Sequence, residues 1–195
     1  MFRSHALLYF VLLLVIVSSP VSADENKKDG KAAADRPIQA LLVTGGCCHD
    51  YAKQKDILKQ GLERRINIVI DQAHTNDKST KPPLPIFGNP DYAKGYTVII
   101  HDECAAGISD HEIIDDVLAP HRKGIPGVNL HCAMHSYRSG DFRKPVKIGA
   151  DNAKWFEYIG LQSTGHGPQQ PIEIQFENNV PFITKDIENW TTQRE

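Results

Sequence analysis

Cysteine is scarce in this chain and poorly spaced for a disulfide scaffold. There are four, at positions 47, 48, 104 and 132, two of them adjacent and none in a CxxC pair. A framework of staples is therefore excluded, and buried free thiols are expected, with a Cys104–Cys132 bridge as the alternative. Charge of one sign is missing as well. Lys and Arg total 22 against 24 Asp and Glu, a formal net charge of −2, which leaves neither a footprint for nucleic acid nor a lysine stripe for a membrane surface. No run of apolar residues is long enough to span a bilayer, which takes ~20 residues. The one candidate, residues 6–17, breaks at Ser18-Ser19-Pro20. No internal repeat is visible.

What that apolar run does suggest is export. Arg3 supplies a positive start, residues 6–17 a hydrophobic region, and Val21-Ser22-Ala23 a small-residue cleavage site, so residues 1–23 are expected to be a signal peptide. A secreted or periplasmic location follows, without a stable membrane anchor. Residues 24–36 are charged and polar enough for a flexible linker, and residues 37–195 are long enough for one domain with its own core.

Within that domain, apolar runs alternate with amphipathic segments. Strands are expected at 37–44, 66–70, 96–101 and 125–130, and a half-exposed one at 171–176. A helix is expected over 52–65 behind Asp50 as N-cap, with Ile57, Leu58 and Leu62 inward. A second should start at the capping box Ser109-Asp110-His111-Glu112 and end near His121, Pro120 helping to stop it. A third, capped by Asp151 and ended by Gly160, carries Trp155, Phe156, Tyr158 and Ile159, an aromatic set expected in the core. Residues 72–95, rich in proline, are expected to be a long surface loop. Strand–helix alternation of this kind predicts a parallel α/β sheet with right-handed crossovers.

Ligands in open α/β sheets bind outside the carboxyl ends of the strands. Three expected strand ends carry Gly45-Gly46-Cys47-Cys48-His49-Asp50, His101-Asp102-Glu103-Cys104 and His131-Cys132-Ala133-Met134-His135. His131, which closes the apolar stretch from Gly124, is the strongest candidate for proton transfer or metal binding. His49, at a strand-to-helix turn, reads as a general base or ligand. Cys132 as a nucleophile would need a base and a lowered pKa that nothing in the sequence supplies. Gly45 and Gly46 can approach an anion or merely make the turn, and Asp50 reads first as a helix cap. His131 and His135 have the i, i+4 spacing of helical zinc ligands but lack the glutamate of zinc-peptidase signatures, so a divalent metal held by His49, His131, His135 and His166 stays open while no other cofactor is expected. Tyr137 and Arg138 read as ligand-orienting groups on a loop, and His74, His111 and His121 as surface residues.

The rim sequences together resemble the ThuA-like (trehalose utilisation) family. The matching elements are 42–51, His101-Asp102-Glu103-Cys104, 130–137, Trp155 with Tyr158-Ile159-Gly160, Gly165-His166 and Val180-Pro181-Phe182-Ile183-Thr184. The resemblance implies a flavodoxin-like, class I glutamine amidotransferase-like three-layer sandwich with a mostly parallel sheet. It also implies carbohydrate utilisation, with a sugar or keto-sugar derivative as the small-molecule substrate. His131 stands where the amidotransferases carry a cysteine nucleophile, so glutaminase activity is not expected. The family pattern continues past Trp190, which points to a C-terminus shortened at Glu195.

Taken together, the expected catalytic residues are His131, His49 and Glu103. Gly45, Gly46, Asp50, Asp102, Cys132, His135, Tyr137, Arg138 and His166 form the expected substrate rim. His-assisted enolisation or β-elimination is expected before glycosidic hydrolysis, which needs two carboxylates flanking the bond. The rival readings are a non-catalytic sugar-binding module using Tyr137 and Trp155, and a metal-dependent hydrolase. Homo-oligomerisation is left open.

Overall fold

The computed structural model describes residues 36–165, 167–176 and 184–193. The expected signal peptide, nearly all of the expected linker, His166 and residues 180–183 lie outside the described residues. From Ile38 onward the chain forms one compact unit.

Four strands make an all-parallel sheet in the order β2-β1-β3-β4: β1 Ile38–Gly46, β2 Ile68–His74, β3 Val98–Cys104 and β4 Gly127–Asn129. β1 and β3 are central and read as continuous apolar runs because both of their faces are covered. β2, at an edge, alternates buried Ile68 and Ile70 with exposed Val69 and Asp71. Helix α1, Tyr51–Glu63, covers one face, where Leu58 and Leu62 meet Ala40, Leu42, Ile70 and Ile100, whereas Ile57, expected inward with them, is 60% exposed. The other face is covered by α2, His111–Arg122, and α3, Lys154–Ile159. There Ile114, Val117, Leu118, Trp155 and Phe156 close on Leu41, Val43 and Ile99. The result is a three-layer α/β sandwich of the flavodoxin-like kind.

Several local expectations are corrected. The 72–95 segment is not wholly a surface loop. Its first residues extend β2, and further on Pro82, Leu84 and Ile86 are buried while Lys81, Pro83 and Pro85 are exposed, so an extended, proline-stiffened strap lays alternate side chains on the core. The fourth strand is not a buried one. β4 has three residues, pairs only with β3, and leaves Val128 47% exposed. The cap of α2 is Asp110, whose carboxylate accepts from the Glu112 amide at 2.9 Å, one residue later than the Ser109 box. That helix ends at Arg122, one residue past the expected His121, with Pro120 inside its last turn. Asp151 opens a 3-10 turn, Asp151–Ala153, ahead of α3 rather than capping it, whereas Gly160 ends α3 in the left-handed region as expected. The half-exposed strand shrinks to β5, Glu173–Ile174, paired antiparallel with β6, Trp190–Thr191, in a separate ribbon.

Candidate functional site

β1 and β3 are neighbours whose connections leave toward opposite faces, which makes their carboxyl ends the switch point of the sheet. Register sets Thr44 beside Asp102, Gly45 beside Glu103 and Gly46 beside Cys104. Gly46 serves this closeness, while a Cβ at Gly45 would stand 2.7 Å from Thr75 beyond β2. Gly46 has φ +101°, and a Cβ there would stand 2.2 Å from the Cys104 carbonyl oxygen. Any larger residue would push the strand ends apart. The chain then turns through Cys47 and Cys48, the latter at φ 85°, which is strained for a residue other than glycine. His49 follows, and Asp50 caps α1 by accepting from the Lys53 amide at 3.3 Å. That is the cap role read from the sequence.

After β4, residues His131–His135 coil into a 3-10 turn that turns Cys132 inward. There it meets His49, with Nε2 2.9 Å from the Cys132 sulfur. Tyr51, Cys104 and Cys132 pack together, with Cys47 against them, and the Cys47 and Cys104 sulfurs are 3.3 Å apart. The Cys132 thiol is drawn down to about 5, chiefly because the Cys104 thiol hydrogen-bonds to it; the charges of His49 and His131 add to this, while burial opposes it. Cys104 moves the opposite way, kept protonated by its bond to Cys132 and by burial. Burial and the neighbouring thiol push Cys48 up to about 11. An inward-pointing Cys132 was expected; the waiting imidazole was not. The base that a nucleophilic thiol requires is supplied from a residue 83 positions away.

Asp102 belongs to the same side of the sheet. Its carboxylate accepts from Gln54 of α1 at 3.2 Å and from the Thr44 hydroxyl at 3.4 Å. Burial, then the charge of Glu103, raises it to about 7, where it can give or take a proton near neutrality. Glu103 itself points to the other face and is fully buried. One of its oxygens lies 2.8 Å from His101 Nδ1 and accepts from the Tyr137 hydroxyl, also at 2.8 Å. The structure thus sets Glu103 and Tyr137 apart from the His49–Cys132 pair, in an internal network. His121 joins it: 3.0 Å from His101, half-buried, and lowered to about 4 by burial and by His101. The surface reading of His121 is corrected, while His111 is exposed as expected.

Of the remaining candidates, His131 is exposed, its ring 5.4 Å from that of His49. His135 is buried and bonded to Ser163 at 2.5 Å. Arg138 stacks over Phe142 at 4.1 Å, and its Nε is buried without a hydrogen bond. Among the described residues, two groups of side chains could hold a metal ion: His49, His131 and Cys132, and Cys47, Cys48 and Cys104. In each, the donor atoms lie within 4.8 Å of one another. The four-histidine set is therefore brought together only in part, with a cysteine where His135 was expected.

A cavity of about 530 Å³ lies elsewhere, lined by His121, Arg122, Lys154, Glu157 and Tyr158. Beside His49 is a recess of about 20 Å³, room for one water. The chemistry decides between them: the 530 Å³ cavity is lined by no thiol, while the shallow rim brings together thiols, imidazoles and a carboxyl of shifted pKa. No family model, curated protein or solved structure matches the chain. Sequence reasoning put Cys104 on the rim, with burial or a bridge to Cys132 as its readings, but gave neither it nor Tyr51 a part in the site. The signal for Cys104 was available in strand alternation, which puts it on one face with Asp102.

Proposed function

We propose that the chain is an exported enzyme acting on a sugar or keto-sugar derivative by acid-base chemistry at the carbon beside a carbonyl, with Cys132 and His49 as the reacting pair. One observation carries this reading: an imidazole nitrogen 2.9 Å from an inward-facing thiol at the switch point of a parallel sheet. A thiolate beside an imidazolium offers a base and an acid within one substrate's reach. Cys132 sulfur takes the proton from the carbon next to the carbonyl, and the His49 ring gives one to the carbonyl oxygen, so an enol forms with no net change in the pair's charge. Asp102, near neutrality, and exposed His131 are the groups that return the protons.

The substrate class rests on the resemblance of the rim motifs to the ThuA-like family, and export on the amino-terminal pattern. The non-catalytic reading finds less support. Its aromatic platform would be Tyr137 and Trp155, which are 2% and 1% exposed and packed in the core. The metal-dependent reading keeps a foothold in the His49, His131 and Cys132 donor set, where a bound zinc ion would act as a Lewis acid on a carbonyl.

Incubation with oxidised disaccharides in deuterated water is the test. Deuterium should enter at the carbon adjacent to the carbonyl, and Cys132→Ser and His49→Ala should each lower that exchange by a hundredfold or more. Exchange surviving in both variants would remove the pair from the mechanism. Exchange abolished by chelator alone would favour the metal reading.

A further inference from the structure

We propose that Cys47, Cys48 and Cys104 form a binding site for a thiophilic d10 metal ion of the zinc class, adjoining the His49–Cys132 pair through Cys104 but using none of its donors. Their three sulfurs lie within 4.8 Å of one another, with Cys47 and Cys104 at 3.3 Å. Three thiolates on one zinc ion, at about 2.3 Å each, stand about 3.8 Å apart. Opening one pair slightly and drawing in the third is a small adjustment of side chains already converged from two strand ends.

The backbone is arranged for this convergence. Gly46 lets the end of β1 lie against Cys104, and Cys48 takes up a left-handed conformation at φ 85° that a side chain normally avoids. Non-glycine residues held there collect at functional sites, where the surrounding fold supports the cost. In a chain with four cysteines in all, three meeting at one strand junction is not what a search for buried packing thiols predicts. The burial also differs across the set, which suits an entry path: Cys104 is buried, Cys47 half-buried and Cys48 exposed.

Charge fits too. A divalent ion on three thiolates carries a net negative charge. Arg138 lies close enough for the charges of Cys104 and Cys47 to act on it, and its buried Nε has no hydrogen-bond partner. It offsets that negative charge from the protein side. Each thiol that binds gives up its proton, so loading releases up to three protons into solution. Three protein donors leave zinc a fourth position for water.

Equilibrium dialysis of the reduced chain against zinc, and titration with cadmium followed by its sulfur-to-metal charge-transfer absorbance, test this. One ion per chain should be retained, with the absorbance of three thiolates. Cys48→Ser, a change at an exposed position, should weaken binding by at least about tenfold and remove about a third of that absorbance. Arg138→Gln should weaken it less. His131→Ala should leave it unchanged. The proposal is overturned if no ion is retained, if Cys48→Ser binds as the parent does, or if His131→Ala abolishes retention and so assigns the ion to the His49, His131 and Cys132 donors. A Cys47–Cys104 disulfide in the chain as secreted would overturn it as well.

Discussion

β3 carries His101, Asp102, Glu103 and Cys104 in succession, and the two pairs that strand alternation makes of them live in different worlds. Asp102 and Cys104 face α1 at the sheet's switch point, where Cys132, half-buried His49 and Cys47 come close. His101 and Glu103 face the α2 and α3 side, fully buried among Trp155, Tyr137 and Tyr158. The groups are chemically alike, a carboxylate with one other polar side chain. One pair has partners that leave a reacting face open; the other has its hydrogen bonds taken up inside the protein. One Glu103 oxygen serves both His101 and Tyr137, while the second is buried without a partner. Titratable residues at a strand end are thus sorted by which face they leave from, and the sorting turns on parity along the strand.

That contrast breaks most visibly at Glu103. Replacing it by Leu strands the His101 ring nitrogen and the Tyr137 hydroxyl inside the core, and removal of one member of a buried polar pair typically costs about 3–5 kcal/mol. Urea denaturation should show a drop of that size. The His49–Cys132 geometry should survive in the fraction that stays folded, because nothing in the network touches it.

Gly46→Ala comes next and strikes the opposite face. Its φ of +101° and the 2.2 Å approach to the Cys104 carbonyl leave no room for a methyl group. A loss of about 2–3 kcal/mol is expected from the combined strain and clash. Reactivity of Cys132 toward an alkylating agent should change as well, because Cys104 is displaced from it. If stability falls and Cys132 reactivity does not move, the coupling between the strand junction and the thiol is refuted.

Much of this architecture was legible beforehand. Four apolar runs, one amphipathic helix with Leu58 and Leu62 inward, and the closing Gly160 are local signals, and each produced its element. What failed was non-local. The proline-rich segment beyond residue 75 looks like a loop because proline forbids regular pairing, yet an extended strap can bury every second side chain without any pairing. β4 looked buried because Val128 and Leu130 are apolar, but burial at a sheet edge depends on what lies beyond the edge. At the site, strand alternation separates Asp102 and Cys104 from His101 and Glu103, but it could not say which layer each pair faces, nor that His49 reaches Cys132 across the junction. Both facts are set by the β1–β3 register and by a turn too short to read as an element.

Acid sharpens the comparison on the buried side. His121 is neutral in the fold, lowered to about 4 by burial and by His101, whereas in the unfolded chain it titrates near 6.5. A depressed pKa means that unfolding takes up a proton at low pH. Its contribution is therefore fully present above pH 6.5 and is lost as pH falls toward 4. The loss should be about 2 kcal/mol once the screening of a half-buried group is allowed for. In His121→Gln the part of the acid limb between pH 6.5 and 4 should flatten; an unchanged limb would mean that other groups set it.

The smallest stability effect should come from the reacting pair, and its smallness is the point. Cys132→Ser keeps shape and burial, so a change within about 1 kcal/mol is expected in denaturation, against the larger loss at Glu103. Reactivity should behave in reverse. In chelator-treated protein the rate of Cys132 alkylation should rise with a midpoint near pH 5, since Cys104 donates to the thiolate and His49 adds its charge. His49→Ala should move that midpoint upward by removing the imidazolium, and should leave the urea midpoint nearly where it was. Mass mapping of the labelled peptide separates Cys132 from exposed Cys48, whose thiol stays protonated up to about 11. A Cys132 midpoint near that of an ordinary thiol, in a chain of normal stability, would leave the pair as packing and return the site to its histidines.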